Sequence, residues 1–263
     1  MRRTLTDLPR TLLGSAYALF VVYLMLPLAL MVAMSFKDSN FISFPITDWT
    51  LQWYVQVVQD KQFLDAVAYS GLIAVSTAVL ATIVGVWIGL IIASNRVPFT
   101  GVIFALACLP AVVPGLVNAI SMRIFIKLFD MAPGTIPIII AHTVHAVPFV
   151  VIMVLTRIRT MPGNLIDAAR DLGADPMVAF LRVTVPYLMP ALVGGMVFCV
   201  LTSIDDFVRT FFLGGYQTTL PMLLFARVQG GMSPEINAMS TIILVVTAAV
   251  GLAAEFITRR SRR

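Results

Sequence analysis

The sequence predicts an all-α integral membrane protein with six transmembrane helices, on the basis of its composition and of the length of its apolar segments. Hydrophobic residues make up 59% of the 263 residues and charged residues only 12%, whereas soluble domains contain about 45–50% and about 25% of these classes. Six segments reach the roughly 20 apolar residues that cross a bilayer, and they should be helical because open strands cannot satisfy their backbone in lipid. The predicted spans are residues 12–36, 66–94, 101–129, 135–156, 188–208 and 238–257. No separate soluble domain remains, so residues 1–263 are predicted to form one transmembrane domain.

The first two spans are predicted to be permanent, packed helices. Residues 12–36 are too long for the apolar part of a secretory signal, and no convincing small-residue cleavage site follows them, so we expect the segment to be retained. In the second span, Gly85 and Gly89 form a G-x-x-x-G pattern. Such a pattern usually indicates close packing against another helix, although many matches are incidental.

The third and fourth spans contain residues that interrupt or polarise an apolar helix. Pro110, Pro114 and Gly115 should break or kink the third span, which is tolerated where neighbouring groups or a cavity satisfy the freed carbonyls. A translocation pathway is one such place. His142 and His145 form an H-x-x-H pattern on one helix face of the fourth span. Two histidines are too few for a zinc site, so packing with a hydrogen bond across the bundle is favoured, with lining of a cavity as the alternative.

Two adjacent acids mark the fifth span, and a helix start precedes the sixth. An acid at the bilayer centre costs about 2.5–3.5 kcal/mol on insertion scales, so Asp205 and Asp206 need an offsetting interaction. Arg209 could pair with either carboxylate on the same helix. Alternatively, the two carboxylates could line a pathway for a cationic substrate. Ser233 and Pro234 are typical of a helix cap and of the first helical position.

Positive charges predict the orientation of the chain in the membrane. If the N-terminus is cytoplasmic, twelve of the 18 Lys and Arg residues fall on the cytoplasmic side. These are Arg2, Arg3, Arg10, Arg96, Arg157, Arg159, Arg170, Arg182, Arg259, Arg260, Arg262 and Arg263. Both termini are therefore predicted to be cytoplasmic. This topology and contact with anionic membrane lipid account for the net charge of +5, which is no indication of nucleic-acid binding.

A polar segment between the fourth and fifth spans is predicted to form two short helices joined by a tight turn. Asn164 can cap the first helix, with Asp167 three residues later as in a capping box. Gly173 should end that helix. Asp175 can cap the second helix, with Pro176 at its first position. A surface hairpin between two spans would need no more than this.

The same segment, residues 161–186, carries a longer and more specific pattern. It contains Asp167-Ala168-Ala169, Gly173, Val183 and Val185-Pro186. This pattern resembles the EAA loop of the membrane permeases of ABC importers, with Asp in place of Glu at 167 and Val in place of Leu at 185. The resemblance implies that the segment is a coupling helix that docks into a cleft of a separate ATPase. The coupling residues it implies are Asp167, Ala168, Ala169, Gly173, Ala174, Asp175 and Pro186.

The C-terminal third narrows the resemblance. Its motifs are Ser203-Ile204-Asp205-Asp206, Thr219-Leu220-Pro221 and Ser233-Pro234-Glu235-Ile236-Asn237-Ala238. They are similar to the second permease subunit of spermidine/putrescine importers, and the likeness extends over nearly the whole chain. Arg209 departs from the polyamine pattern, which has an apolar residue there. Related permeases handle opines, amino-acid-like compounds or phosphonates, which remain alternative substrates.

The resemblance also implies an assembly. It implies a type I ABC importer (MetI-like) permease fold in the bacterial inner membrane, paired with a second, homologous permease subunit as a heterodimer. Two ATP-binding subunits would carry ATP and Mg, and a periplasmic substrate-binding protein would deliver a polyamine. The loops 37–65 and 214–231 could receive that protein, whereas the aromatic residues of the first loop are also typical of an interfacial belt. Substrate-pathway candidates are Asp205, Asp206, Pro114 and His142.

Features that an enzyme would need are missing from the sequence. A P-loop needs a Gly-Lys pair, and none of the lysines follows a glycine, so we expect ATP hydrolysis on a separate subunit. Cys108 and Cys199 lie within apolar spans and should be small core residues. No metal triad or nucleophile–base pair is evident in the spans. An ion-coupled secondary transporter and a membrane-embedded enzyme are the competing classes, and the EAA pattern favours the importer permease over both.

Overall fold

A computed structural model describes residues 10–39, 46, 48–94 and 97–260, and within them the regular structure is helical. The helices are α1 (Arg10–Met34), α2 (Gln52–Gln59), α3 (Lys61–Ala93), α4 (Thr100–Val112), α5 (Gly115–Leu128), α6 (Thr135–Arg159), α7 (Asn164–Asp171), α8 (Pro176–Ala179), α9 (Val185–Ile204), α10 (Phe207–Leu213), α11 (Leu220–Gln229) and α12 (Pro234–Arg260), with a π turn, Phe180–Thr184, between α8 and α9. The predicted cytoplasmic charges Arg2, Arg3, Arg96, Arg262 and Arg263 lie outside the described residues.

Five helical segments of the described chain are long and apolar enough to cross a membrane. They are Leu12–Met34, Lys61–Ala93, Thr135–Arg159, Pro176–Ile204 and Pro234–Phe256. The apolar helices α4 and α5 follow each other with a bend of 105°, and together they are long enough to count as a sixth, broken span. The interruption expected at Pro114 is observed. Since Pro114 has no N–H to continue α4, the chain breaks there and Pro114 becomes the residue that precedes α5.

The fifth span ends earlier than the sequence predicted. It was expected to continue to residue 208, but α9 ends at Ile204 and a separate short helix begins at Phe207. Asp205 and Asp206 therefore lie in a break between helices, where α9 leaves carbonyl groups and α10 leaves N–H groups to be satisfied. Apolar residues continue through α10, so hydropathy alone did not reveal the break.

Contacts group the described residues into two units. The larger unit comprises Gln62–Phe225 with the described chain from Val246 onward. Its main core is formed by α3, α6 and α9, with Val150 and Val154 of α6 fully buried. A Cβ atom added to Gly85 would lie 2.6 Å from Cβ of Val150, and one added to Gly89 would lie 2.8 Å from Cγ1 of Val154. The G-x-x-x-G pattern therefore lets α3 approach α6 closely, as predicted.

The smaller unit comprises the described residues up to Lys61 together with Ala226–Val245. Arg227 holds it together by binding Asp60 at 2.6 Å and Glu235 at 3.0 Å. Trp53 is buried and donates its indole N–H to the carbonyl of Lys37 at 2.8 Å. The expectation of an interfacial aromatic belt is therefore wrong for Trp53, because its ring and its polar atom are both used internally. Pro234 occupies the first position of α12, as predicted.

Candidate functional site

The hairpin between α6 and α9 has a well-defined turn. α7 ends at Asp171, and Gly173 follows with φ +83°, the left-handed conformation that glycine adopts without strain. The N–H of Gly173 donates to the carbonyl of Arg170 at 2.8 Å and the N–H of Ala174 to that of Ala169 at 3.0 Å. These two bonds are those of a Schellman motif. The predicted end of the first helix at Gly173 is confirmed.

Of the two helix caps predicted in the hairpin, only the cap of the second helix is confirmed. Asp175 accepts a hydrogen bond from the N–H of Val178 at 2.8 Å, and Pro176 begins α8, as predicted. At α7 the prediction was wrong. The residue that precedes this helix is Gly163, without a side-chain cap, because Asn164 is already helical and Leu165 bonds back to Pro162.

The sequence predicted a separate second helix in the hairpin, but the structure shows that this helix is continuous with the fifth span. α8 continues through the π turn into α9, so Pro176–Ile204 forms one helical segment. Pro186 explains the widened turn, because its ring cannot follow a normal turn and it has no N–H to donate. The N–H of Val185 instead reaches the carbonyl of Phe180, five residues back. The hairpin and the fifth span are therefore joined without a flexible linker.

The hairpin carries exposed apolar side chains. Leu172 is 90% exposed and Met177 is 64% exposed, although the segment is otherwise polar. Asp167, Ala168 and Gly173 are also exposed. Exposed apolar side chains on an otherwise polar hairpin make it a candidate for contact with another protein. Leu172 and Met177 are not among the coupling residues that the family resemblance implied.

A buried polar cluster, consisting of Asn118, His142, Ser203, Asp206, Arg209 and Thr210, lies where α5, α6, α9 and α10 meet. Asp206 caps α10 by accepting from the N–H of Arg209 at 3.0 Å. The guanidinium of Arg209 pairs with the same carboxylate and also donates to Oδ1 of Asn118 at 3.2 Å. Both charged side chains are nearly buried. The sequence left open which of the two acids Arg209 would pair with. In the structure its partner is Asp206.

His142 connects the cluster to α6. Its Nδ1 lies 2.8 Å from Oγ of Ser203, and its Nε2 lies 3.3 Å from Oγ1 of Thr210 and 3.9 Å from Asp206. The favoured interpretation, a hydrogen bond across the bundle, is confirmed. His145 does not join the cluster but packs its ring against the edge of Phe149. Among the described residues no group of three His, Cys, Asp or Glu side chains could hold a metal.

The two remaining pathway candidates, Pro114 and Asp205, both lie outside the cluster, and Pro114 adjoins it. Gly115 beside Pro114 faces Arg209, since a Cβ on Gly115 would lie 4.0 Å from the guanidinium. The bend between α4 and α5 is therefore next to the buried charges. Asp205 is exposed, and its carboxylate has no partner among the described residues. The two neighbouring acids, equivalent in sequence, thus differ in the structure. Asn118 and Thr210 gave no signal in the sequence because uncharged polar residues are common in such spans, and Ser203 stood out only as part of the motif that it shares with Asp205 and Asp206.

Residues 81–263 match the family described as binding-protein-dependent transport system inner membrane component. The chain belongs to this family. It is 30% identical over 249 residues to the putrescine transport system permease protein PotI of Escherichia coli K12, an alignment that covers 92% of this chain and 88% of PotI. It is also 30% identical over 253 residues to the spermidine/putrescine transport system permease protein PotC of the same organism, covering 95% of each chain.

Solved structures agree with this family assignment at the level of the fold. A chain of a bacterial ABC transporter that imports the acidic polysaccharide alginate superposes with a TM-score of 0.72 at 17% identity, over 98% of this chain and 99% of that one. The MetNI methionine ABC transporter gives a TM-score of 0.66 at 18% identity, over 81% of this chain and 100% of that one. The protein is a multi-pass inner-membrane permease subunit of an ABC importer, with the type I (MetI-like) fold, and not an enzyme.

Proposed function

We propose that this permease converts the ATP-driven movement of a separate ATPase into the passage of a small amine across the inner membrane. The observation that carries the coupling role is the joint between hairpin and span. A polar hairpin with exposed apolar side chains and an EAA-like pattern runs through a π turn into α9 without a linker. Displacement of the hairpin by a docked ATPase would therefore move α9 itself.

The proposed assembly follows the family resemblance. This subunit would pair with a second, homologous permease subunit. Two ATP-binding subunits would hold ATP and Mg, and each would bind the hairpin of one permease subunit. A periplasmic binding protein would deliver the cargo on the opposite side. The residues of the hairpin proposed to contact the ATPase are Asp167, Ala168, Ala169, Gly173, Ala174 and Asp175, together with Leu172 and Met177; Pro186 acts through the π turn.

In this mechanism, movement of the hairpin changes the pathway at the break between α9 and α10. α9 ends beside the polar cluster, so a movement that begins at the hairpin reaches Asp205 and the bend at Pro114 through a single helix and its neighbours. ATP binding would open the pathway to the periplasm, and hydrolysis would return it to the cytoplasmic side. Both termini and the hairpin are proposed to be cytoplasmic.

An amine of the polyamine class is the proposed cargo. Two relatives named for putrescine and spermidine transport are 30% identical to this chain over nearly its whole length. Asp205 supplies suitable chemistry, because an exposed carboxylate without an internal partner can bind an ammonium group. In an apolar environment such a carboxylate is expensive unless water or a ligand meets it.

A second candidate cargo, an amino-acid-like compound, an opine or a phosphonate, is favoured by one observation. The carboxylate of Asp206 is already neutralised by Arg209. The pair leaves a single free carboxylate in the break between α9 and α10, rather than the two that would suit a cargo with two ammonium groups. A cargo with one ammonium group and a negative group elsewhere would fit that arrangement.

Leu172→Glu tests the coupling role. Because Leu172 is 90% exposed, the substitution leaves the fold of this subunit intact but introduces a charge into the proposed docking face. We expect the variant to insert normally, to co-purify with much less ATPase and to lose uptake. Leu172→Met is the matched control and should keep both. Normal uptake by Leu172→Glu would overturn the coupling assignment.

The cargo is tested by ATP hydrolysis of the complete complex with its binding protein in liposomes. We expect stimulation by putrescine or spermidine, and a smaller uptake of the same amine by the Asp205→Asn variant at unchanged complex yield. Stimulation by an amino-acid-like compound, an opine or a phosphonate, without any by polyamines, would support the second candidate. Equal amine uptake by Asp205→Asn and the parent would remove Asp205 from the pathway.

A further inference from the structure

A half-open cavity lies at one end of three neighbouring helices of the larger unit. Its volume is about 310 Å³, and it is bounded by the last turn of α3, the first turns of α4 and the last turns of α6. The lining residues are Ile92, Thr100, Gly101, Phe104, Ile152, Leu155, Thr156 and Arg159. Because α3 ends, α4 begins and α6 ends here, the cavity lies where the apolar spans emerge from the membrane.

The cavity lining includes one cationic side chain and one hydroxyl that are available to a ligand. Arg159 is exposed, and its guanidinium has no hydrogen-bond or ion-pair partner among the described residues. Its neighbour Arg157 differs, because it donates to the carbonyl of Tyr187 at 3.0 Å and lies 4.2 Å above the Tyr187 ring. The hydroxyl of Thr100 likewise has no described partner and can donate a hydrogen bond. A free guanidinium beside a free hydroxyl is suited to an anionic oxygen group.

Most of the remaining lining residues are apolar, and the hydroxyl of Thr156 already donates to the carbonyl of Ile152 at 2.8 Å. Ile92 and Leu155 are buried, whereas Phe104 and Ile152 are partly exposed. Free phosphate would gain nothing from the apolar side chains, whereas a ligand with both an anionic head and hydrocarbon would use both kinds of lining. Basic cavities between transmembrane helices at the cytoplasmic surface bind anionic lipid headgroups in this manner.

We propose that this cavity binds an anionic phospholipid, with its phosphate on Arg159 and Thr100 and its acyl chains against Phe104 and Ile152. The site is separate from the polar cluster and from the hairpin, and it does not depend on which cargo is transported. Its position against both α4 and α6 means that a bound lipid would brace the bent α4–α5 pair against the fourth span.

Retention of lipid by the complete importer complex tests the proposal directly. The complex would be reconstituted in nanodiscs of equal parts phosphatidylglycerol and phosphatidylcholine, and the retained lipids would be counted by native mass spectrometry. We expect selective retention of phosphatidylglycerol by the parent. Arg159→Gln should lower it about fivefold, the equivalent of the roughly 1 kcal/mol that one basic residue contributes near an anionic surface. Arg159→Lys should restore most of it.

A second variant fills the cavity without removing charge. A Cβ on Gly101 would meet no atom within 4 Å, so Gly101→Leu can project into the cavity and should also abolish retention. Lys127→Gln removes an exposed positive charge from α5, outside the cavity, and should retain lipid like the parent. Equal phosphatidylglycerol retention by Arg159→Gln and the parent would overturn the proposal. So would a photo-crosslinker at position 104 that captures another subunit of the importer instead of lipid.

Discussion

The buried pair of Asp206 and Arg209 decides how the acids of the fifth span are interpreted. Desolvating two charges is expensive, and their mutual attraction compensates only when further hydrogen bonds satisfy them. Here those bonds exist, since Asp206 also accepts from a backbone N–H and Arg209 also donates to Asn118. The pair is therefore a structural unit that fixes α10 against α5, and the exposed Asp205 remains as the candidate for contact with cargo.

Arg209→Met should destabilise the permease strongly, because it leaves the charge of Asp206 buried without its partner. Breaking a buried pair in this way costs about 3–5 kcal/mol. The double variant Asp206→Asn/Arg209→Met removes both charges and should recover a large part of that loss. Thermal unfolding of the purified complex measures both effects. Equal stability of Arg209→Met and the parent would mean that water or another subunit already neutralises Asp206.

The sequence predicted local geometry at individual residues better than it predicted partners. The turn at Gly173 and the cap at Asp175 could be predicted because each depends on neighbours within four residues. Asp205 and Asp206 could not be distinguished, because their difference depends on where a helix ends and on which of them Arg209 reaches while it also donates to Asn118, which is far away in the chain. Asn164 was misplaced because the helix begins one residue earlier than expected, without any side-chain cap.

At the scale of elements, glycine determines how closely α3 and α6 pack. The positions of Gly85 and Gly89 leave no room for even a methyl group beside Val150 and Val154. Gly71 lies on the same helix, but a Cβ there would meet no atom within 4 Å. The two kinds of glycine cannot be told apart from composition, although the spacing of four residues identified the packed pair.

Gly85→Ala should destabilise the permease, whereas Gly71→Ala should not. The added methyl group at position 85 would lie 2.6 Å from Cβ of Val150, so α3 and α6 would have to separate. Overpacking of this kind costs about 1–3 kcal/mol. Alanine at position 71 removes a weak helix former and should be neutral or stabilising by up to about 1 kcal/mol. Comparison of the two melting temperatures in one detergent checks the prediction, which fails if both variants melt alike.

Apolar length predicted the existence of the spans but not their breaks. Hydropathy continues through Phe207–Leu213 and through Pro114, so the change of direction after Ile204 and the angle of 105° between α4 and α5 required coordinates. Proline gave a warning at Pro114, because it removes a donor. At Asp205 the warning was the acid pair, which was interpreted as a charge within a helix instead of the end of one.

At the scale of the whole molecule, the distribution of Lys and Arg predicts which face of the membrane each loop occupies. The bias of twelve of 18 such residues toward one side is typical of a protein with cytoplasmic termini. In the predicted orientation, Arg159 at the end of α6 and the hairpin with Leu172 lie on that side, and the loop that follows α10 lies on the other. The proposed ATPase and lipid contacts both require this orientation.

Single cysteines at positions 172 and 216 test the orientation in a variant without Cys108 and Cys199. Both side chains point outward, since Leu172 and Tyr216 are largely or fully exposed. α9 has 20 residues, a length of about 30 Å that separates the hairpin from the loop after α10 by the thickness of the hydrocarbon. In intact spheroplasts that lack the ATPase subunits, a membrane-impermeant maleimide should label position 216 and should label position 172 only after permeabilisation. The reverse pattern would place the hairpin outside the cell, where no ATPase could reach it, and would refute the coupling role together with the topology.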